Sequence, residues 1–345
     1  MLRQEKFMIR IKDIADHVGV STTTVSNVLH GKEQRVSPKT RRKIEAAIKE
    51  MGYIPSMGAI MLAKEHSGII GVILFDKGSR NEPTLTDPYY GCLVGYLEQY
   101  IKEKKHYMLM LTVSNVEEII HQAKAWNLDG LIACNLQPGV ISHLYTLYQK
   151  PLVSLDAYLE NRESYINIAT DDFDGGYQIG KHLAAMGHRN ILMVSDNDQN
   201  VDHERWLGLR KGLEEAEIPV SEQQHLIVSN IYGERLVQYK RYEELFRKQT
   251  AVFFSSDYYA LEACSILREM GFRIPEQVSL AGFDDLFCSG LMMPKLTTIR
   301  QDIEQKARMT VDALFGLMSG NGSERREWVL PVELIKRESV RRIGK

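Results

Sequence analysis

Apolar positions recur at helical spacing through the first fifty residues, and short apolar runs separated by amphipathic stretches follow. Within Ile11 to Leu29 two short helices are predicted. Ile11, Ile14, Ala15 and Val18 share one face of the first. Gly19 stands where a helix end needs positive φ. Ser21 is a good N-cap for the second helix. There Val25, Val28 and Leu29 form the inner side, Thr23, Asn27 and His30 point outward, and Thr22 lies on the exposed first turn. Val36-Ser37-Pro38-Lys39-Thr40 opens a third helix, with Ser37 as N-cap and Pro38 at the first helical position. Its buried stripe is Ile44, Ala47, Ile48 and Met51, and Gly52 ends it. Together these make a headpiece of roughly 50 residues.

Beyond Lys64 the pattern alternates between strand and helix. Ile69 to Phe75, Tyr107 to Val113, Leu131 to Ala133 and Leu152 to Leu155 read as strands. Helices are predicted between them at Tyr89 to Glu103, Val116 to Trp126 and Val140 to Tyr148. A second series runs from the helix Phe173–Met186 through strands at Ile191 to Val194, Ala251 to Phe254 and Val278 to Ala281. Asp302 to Leu317 is a later helix, and Trp328 to Ile335 has strand character. Such alternation predicts parallel sheets covered on both faces. Two consecutive series predict two similar lobes of roughly 100 to 130 residues each.

Composition changes this picture in one respect. The 345 residues are 44% hydrophobic and 26% charged, with a net charge of −2, as in an ordinary soluble protein. The charge is unevenly placed. Residues 1–64 hold 12 Lys/Arg against 6 Asp/Glu, and the remainder holds 31 against 39. A basic head on an acidic body suits a nucleic-acid-reading module joined to a separate domain. Cys92, Cys134, Cys264 and Cys288 lack metal-ligand spacing and read as reduced packing residues of a cytoplasmic protein. No metal or cofactor is expected. There is no apolar run of membrane-spanning length and no secretory leader pattern.

The candidate chemistry is binding. Thr and Asn side chains on an exposed helix face hydrogen-bond base edges, and Thr also meets a thymine methyl. In the body, ligands of open parallel sheets sit beyond the carboxyl ends of the strands. That places Asp76, Asp156, Ser195, Asp196, Ser255, Ser256, Asp257 and Asp284 around a cleft, with Tyr89 and Tyr90 able to stack on a ring. The rival classes are an enzyme and a ligand sensor whose basic head contacts protein. No phosphate-cradling GxxxxGK[ST], G-x-S-x-G elbow or HExxH is present. Gly175-Gly176 with Gly180 does not follow a strong strand closely enough for a dinucleotide loop. No catalytic residue is expected.

IKDIADHVGVSTTTVSNVLHGK followed by RVSPKTRRKIEAAIKEMGYIPS resembles the headpiece of the lac/purine-repressor family of bacterial transcription regulators. In the body, DPYYGCLVGYLEQYIKEKKHYMLML, TDDFDGGYQIGKHLAAMGHRNILMV, ERWLGLRKGL, SSDYYALEACSILREMGFRIPEQVSLAGFDDL and PKLTTIRQDIEQKA resemble the same family's effector domain, itself similar to periplasmic sugar-binding proteins.

The resemblance implies an α/β protein: a three-helix helix-turn-helix headpiece (9–55), a hinge helix and linker (56–67), and a two-lobed periplasmic-binding-protein-like domain with parallel sheets (68–345). Lobe 1 is expected at about 68–168 and 298–327, lobe 2 at about 169–297 and 328–345. The recognition helix would begin at Ser21, with base reading by Thr22, Thr23 and Asn27. Ser21, Thr24, Ser26 and Ser37 complete the expected DNA-contacting set, and Leu62 of the hinge would wedge into the minor groove. The hinge departs from the family's Ala-Arg-x-Leu in reading Ala59-Ile60-Met61-Leu62. Effector contacts would fall on Tyr89, Tyr90, Arg205, Ser256, Tyr258 and Asp284. Asp156-Ala157 replaces a common Asp-Arg, and Lys77 to Thr86 is longer than usual. The implied function is a homodimeric repressor on a pseudo-palindromic DNA operator, controlled by a small effector, a sugar or sugar derivative before a purine. No C-terminal leucine heptad suggests a tetramer.

Overall fold

The computed structural model describes residues 9–29, 35–54, 66–75, 83–113, 115–136, 138–158, 166–221, 224–322 and 326–344. The expected hinge helix with Leu62, together with His30 and Asp76, lies outside them. The chain forms two compact units, Met1–Ser67 and Gly68–Lys345.

In the first unit α1 (Ile11–Val18), α2 (Thr22–Leu29) and α3 (Pro38–Met51) enclose a small core of Ile14, Ala15, Val25, Ile44 and Ala47. Gly19 has φ 74°, and its N–H bonds the Ala15 carbonyl at 2.9 Å. The left-handed residue ends α1 and turns the chain sharply into α2. Ser37 caps α3 by accepting the Thr40 N–H at 3.2 Å, and Gly52 closes it at φ 65°.

The second unit begins with β1 (Ile69–Phe75), α4 (Pro88–Glu103), β2 (Tyr107–Val113), α5 (Val116–Ala125) and β3 (Gly130–Cys134). It continues through α6 (Pro138–Leu147), β4 (Leu152–Leu155), β5 (Ile166–Thr170), α7 (Asp172–Ala185) and β6 (Ile191–Ser195). Next come α8 (Asn200–Glu214), β7 (His225–Ile227), α9 (Tyr232–Arg241), α10 (Glu243–Arg247) and β8 (Ala251–Phe254). The last elements are α11 (Asp257–Glu269), β9 (Ser279–Asp284), β10 (Thr297–Gln301), α12 (Ile303–Met318), β11 (Glu327–Leu330) and β12 (Val332–Ile335). One sheet has the order β11-β5-β4-β3-β1-β2 and is wholly parallel. The other has the order β12-β10-β9-β8-β6-β7, parallel except for β12 against β10. Strands β3 to β6, β8 and β9 are buried at every position. Sheets covered by helices on both faces require such continuous apolar runs. No helix among the described residues is long and apolar enough to cross a membrane.

The structure departs from the sequence expectation at the crossings between sheets. Trp328 to Ile335 is two strands, one in each sheet, divided at Pro331. Proline has no N–H for a ladder, so the chain leaves one sheet there and enters the other. The Thr297–Gln301 strand belongs to the second sheet, and Glu327–Leu330 to the first. The lobe boundaries expected at 298 and 328 therefore do not match the sheets. β5 and β10 are additional five-residue strands that the apolar pattern does not reveal, because Asn167 and Thr170 in one and Thr297, Thr298 and Gln301 in the other are buried polar residues that interrupt the apolar run.

Helices α7 and α8 touch backbone to backbone. A Cβ added at Gly208 would stand 1.9 Å from the Phe173 carbonyl oxygen, and one at Gly176 2.0 Å from that of Arg205. Gly180 and Gly212 repeat the approach one turn later, where an added Cβ would stand 2.6 Å from a carbonyl oxygen across the interface. The glycines dismissed above as a nucleotide loop are what lets these helices meet. Gly208→Ala is expected to cost about 3 kcal/mol in urea denaturation, because backbone cannot yield as a side chain does. Gly95→Ala, in the interior of α4 with nothing within 4 Å, should be neutral or stabilising by up to ~1 kcal/mol. Equal effects from the two substitutions would contradict the close-contact argument.

Candidate functional sites

In the headpiece, α2 buries Val25 completely and exposes Thr22 and Thr23, with Ser26 and Asn27 half-buried. Ser21 Oγ accepts the Thr24 N–H at 3.1 Å and lies 2.8 Å from the Thr24 hydroxyl. The Ser37 and Thr40 hydroxyls pair similarly at 2.9 Å. Of the expected DNA-contacting set, Ser21, Thr24 and Ser37 thus have hydroxyls engaged in capping. Thr22 and Thr23, with Asn27 one turn on, present side chains along one edge of the helix.

In the second unit the carboxyl ends of both sheets border a cleft of about 730 Å³, part of it open to solvent. Tyr89, Tyr90, Asn135 and Asp156 line it from the first sheet's side, and Asp196, Asp202, Arg205, Ser256, Tyr259 and Asp284 from the second's. Asp87 caps α4 through the Tyr89 N–H at 2.9 Å. That starts the helix where both tyrosine rings meet the cleft, edge to face at 5.3 Å. Ser256 caps α11 through the Tyr259 N–H at 3.2 Å. Tyr258, expected in the cleft, is not among its lining residues. Helical rotation from the Ser256 cap turns Tyr258 toward the core of α9 and α11, and its neighbour Tyr259 lines the cleft instead.

Arg205 is 7% exposed. Its Nε and Nη2 each stand 2.7 Å from Asp172 Oδ1, and Nη1 donates to the Ser255 carbonyl at 2.5 Å. The guanidinium lies 3.6 Å over the Phe283 ring. Asp172 in turn accepts the Tyr158 hydroxyl at 2.6 Å. Burial works against the Arg205 charge, but Asp172, Asp284 and Asp202 outweigh it and hold its pKa above the usual value. Burial pushes Asp202 and Asp284 well above the usual carboxylate range. Neighbouring Asp196 adds to the shift at Asp202, and Arg205 opposes it at both. Asp284 has φ 118°, a backbone angle that L-residues rarely adopt. Outliers of this kind concentrate at ligand clamps.

Beneath the tyrosines lies a cation that the sequence reading missed. Lys306, 1% exposed, donates to both Asp156 oxygens at 2.9 and 2.8 Å. It also reaches Gln301 Oε1 at 3.1 Å and the Tyr89 hydroxyl at 3.2 Å. The available signal was its place on α12. Lys306 sits on the same buried stripe as Ala307, Thr310, Val311 and Leu314, where a lysine needs a buried acid. Asp172, Asp202, Tyr259 and Gln301 were also missed as site residues, because spacing alone does not say which strand end faces which.

One arrangement imitates a hydrolytic triad. Ser195 Oγ is 2.7 Å from His225 Nε2, and His225 Nδ1 is 3.8 Å from Asp198. Yet Ser195 is fully buried, and its hydroxyl donates to the Asn197 carbonyl at 2.6 Å. A hydroxyl hydrogen bound to the backbone, out of reach of substrate, braces the loop that carries Asp196. It is not poised as a nucleophile.

Two family models match the chain. One, for bacterial regulatory proteins of the lacI family, covers residues 10–56. The other, a periplasmic binding protein-like domain, covers residues 181–340. The HTH-type transcriptional repressor PurR of Pectobacterium carotovorum subsp. carotovorum (strain PC1) is 29% identical, over 96% of this chain and 97% of its own. A lac repressor dimer bound to operator and the anti-inducer ONPF is 27% identical with a TM-score of 0.81, covering 96% of this chain and 99% of its own. A complex of the transcriptional regulator CelR with cellobiose is 25% identical with a TM-score of 0.71, covering 96% and 99%.

Removing Arg205 leaves Asp172 buried without its cation. Arg205→Ala is therefore expected to destabilise the fold by about 3–5 kcal/mol near pH 8. Burial already raises the Asp172 pKa, with Arg205 opposing. Without Arg205 the raised group stabilises only while protonated, so stability is lost as pH rises. The penalty should shrink toward pH 5. Urea denaturation at both pH values tests this, and an equal penalty at each would rule it out.

Proposed function

The chain belongs to the lacI family of bacterial regulatory proteins, and on that premise we propose a homodimeric repressor whose hold on a pseudo-palindromic operator is set by a sugar-like effector in the cleft. The observation that carries the effector reading is the composition of the cleft wall. The fixed guanidinium of Arg205 and the buried carboxyls of Asp202 and Asp284 stand on one side, and the Tyr89–Tyr90 edge on the other. An arginine fork and carboxylates suit vicinal hydroxyls, and an aromatic wall suits the apolar face of a sugar ring. Asp196, also on the wall, adds acceptors for hydroxyl donors. The structurally similar regulator CelR forms a complex with cellobiose, which agrees with a sugar-like effector.

The DNA reading rests on α2. Thr22, Thr23 and Asn27 supply base contacts, while the basic charge of the headpiece supplies salt-dependent affinity for phosphates. One headpiece reads few bases, and two related by a twofold axis read a pseudo-palindrome. Phe287, Leu291 and Met293 form an apolar segment 83%, 67% and 77% exposed in the monomer. A second copy covering it would explain the exposure. The effector acts by preferring one arrangement of the two lobes, and the coupling equals its difference in affinity between the arrangements.

Selection from random duplexes, followed by fluorescence anisotropy, tests the DNA reading. Thr23→Ala and Asn27→Ala should each weaken the selected site by about 1–3 kcal/mol and leave non-specific binding unchanged. Uniform weakening on all sequences would argue against base reading by these side chains. A thermal-shift panel of D-ribose, cellobiose, adenosine and hypoxanthine tests the effector. A sugar should raise the melting temperature of the wild type and not of Arg205→Ala. A response to hypoxanthine alone would overturn the sugar assignment.

A further inference from the structure

We propose that Lys306 is the positioning residue of the effector cleft: paired with Asp156, it fixes Tyr89 on one wall and, through Gln301, the carboxyl of Asp284 on the other. The inference rests on the reading of the cleft as the effector site.

A lysine ammonium has donors only. The Gln301 atom 3.1 Å from Lys306 Nζ must therefore be its oxygen. The same oxygen accepts the Thr170 hydroxyl at 2.9 Å. With Oε1 held from two sides, Gln301 Nε2 is turned to Asp284 Oδ1, to which it donates at 2.6 Å. Remove the ammonium, and the Thr170 hydroxyl can donate or accept equally well. Only the Thr170 hydroxyl and the Asp284 oxygen then hold the amide, and its Oε1 loses the charged donor that seats it.

On the opposite wall, the Tyr89 hydroxyl accepts from Lys306 and donates to Asp156 Oδ2 at 3.2 Å. Both of its hydrogen-bonding functions are spent inside the protein. What Tyr89 offers a ligand is its ring, held at a fixed angle. Asp156 itself is fixed by the Thr170 N–H at 3.3 Å and adopts φ 51° at the end of β4.

The elements joined are informative. Asp156 and Thr170 end β4 and β5 of the first sheet. Asp284 and Gln301 end β9 and β10 of the second. Lys306 lies on α12, whose Ala307, Val311 and Leu314 pack on the first sheet. One ammonium thus ties groups from both sheets without reaching the ligand. Its role is to keep Tyr89 and Asp284 in register across the cleft.

The test separates this role from a merely structural one. Lys306→Met strands Asp156 and should lower the melting temperature. Lys306→Met with Asp156→Asn removes both charges and should recover most of that loss. Crystal structures of the wild type and the double variant provide the first readout. The expected result is a shifted Gln301 amide, with the Asp284 carboxyl following it, and a displaced Tyr89 ring. Unchanged positions for Tyr89, Gln301 and Asp284 would overturn the proposal. The second readout is affinity for whichever of D-ribose and cellobiose stabilises the wild type, with a loss of at least tenfold expected in the double variant. Wild-type affinity there would also overturn it. If neither sugar stabilises the wild type, the sugar reading has failed, and the crystal structures still decide the role of Lys306.

Discussion

The cleft depends on how closely helices 172–185 and 200–214 approach one another. Four glycines, two on each helix and one turn apart, bring the backbones into contact. That approach carries Asp172 at the start of one helix to Arg205 in the first turns of the other. Any side chain larger than hydrogen at Gly176 or Gly208 would meet a carbonyl oxygen within about 2 Å, so the ion pair and the helix contact are one structural commitment. Arg205 is then held on three sides, by Asp172, the Ser255 carbonyl and the Phe283 ring. A guanidinium held this way can meet a ligand without first losing its own conformational freedom.

The same solution recurs in the unit. Lys306–Asp156 lies at the floor of the cleft. Arg235–Glu262 joins α9 to α11 with bonds of 2.6 and 2.7 Å. That arginine stacks 4.4 Å over the Tyr259 ring, which lines the cleft. Burying three such pairs is a poor way to gain stability, since apolar replacements often do as well. Each pair instead orients a guanidinium, an aromatic ring or a carboxylate at the cleft. Stability comes mainly from the apolar layers on the sheet faces, and the buried charges set the geometry between them.

Much of the architecture was legible in the chain. The headpiece could be read to its caps, because Gly19, Ser21, Ser37 and Gly52 act locally and announce themselves by residue type. The alternating body was legible too, and so was the place of Tyr89, Tyr90 and Asp284 at helix or strand ends, whereas Arg205 came only from the family resemblance. Three kinds of feature were not. Strands β5 and β10 carry buried polar residues, so they do not show as apolar runs. The division of Trp328–Ile335 between two sheets is a tertiary choice, with only Pro331 to hint at it. Lys306 and Gln301 gain their meaning from partners far away in sequence, and Tyr258 and Tyr259 exchange roles by one step of helical rotation.

The split at Pro331 has a consequence for how the protein comes into being. Glu327–Leu330 completes one sheet by pairing with Ile166–Thr170, and Val332–Ile335 borders the other against Thr297–Gln301. Two lobes that look separable in space therefore share a single late closure. During synthesis neither sheet reaches its full width until residues 327–335 have left the ribosome, and pairings this distant in sequence form slowly. Each nascent lobe meanwhile presents an unpaired edge, the kind of surface that chaperones shield and neighbouring chains invade. A single protease cut beside Pro331 in the finished protein would loosen both sheets together.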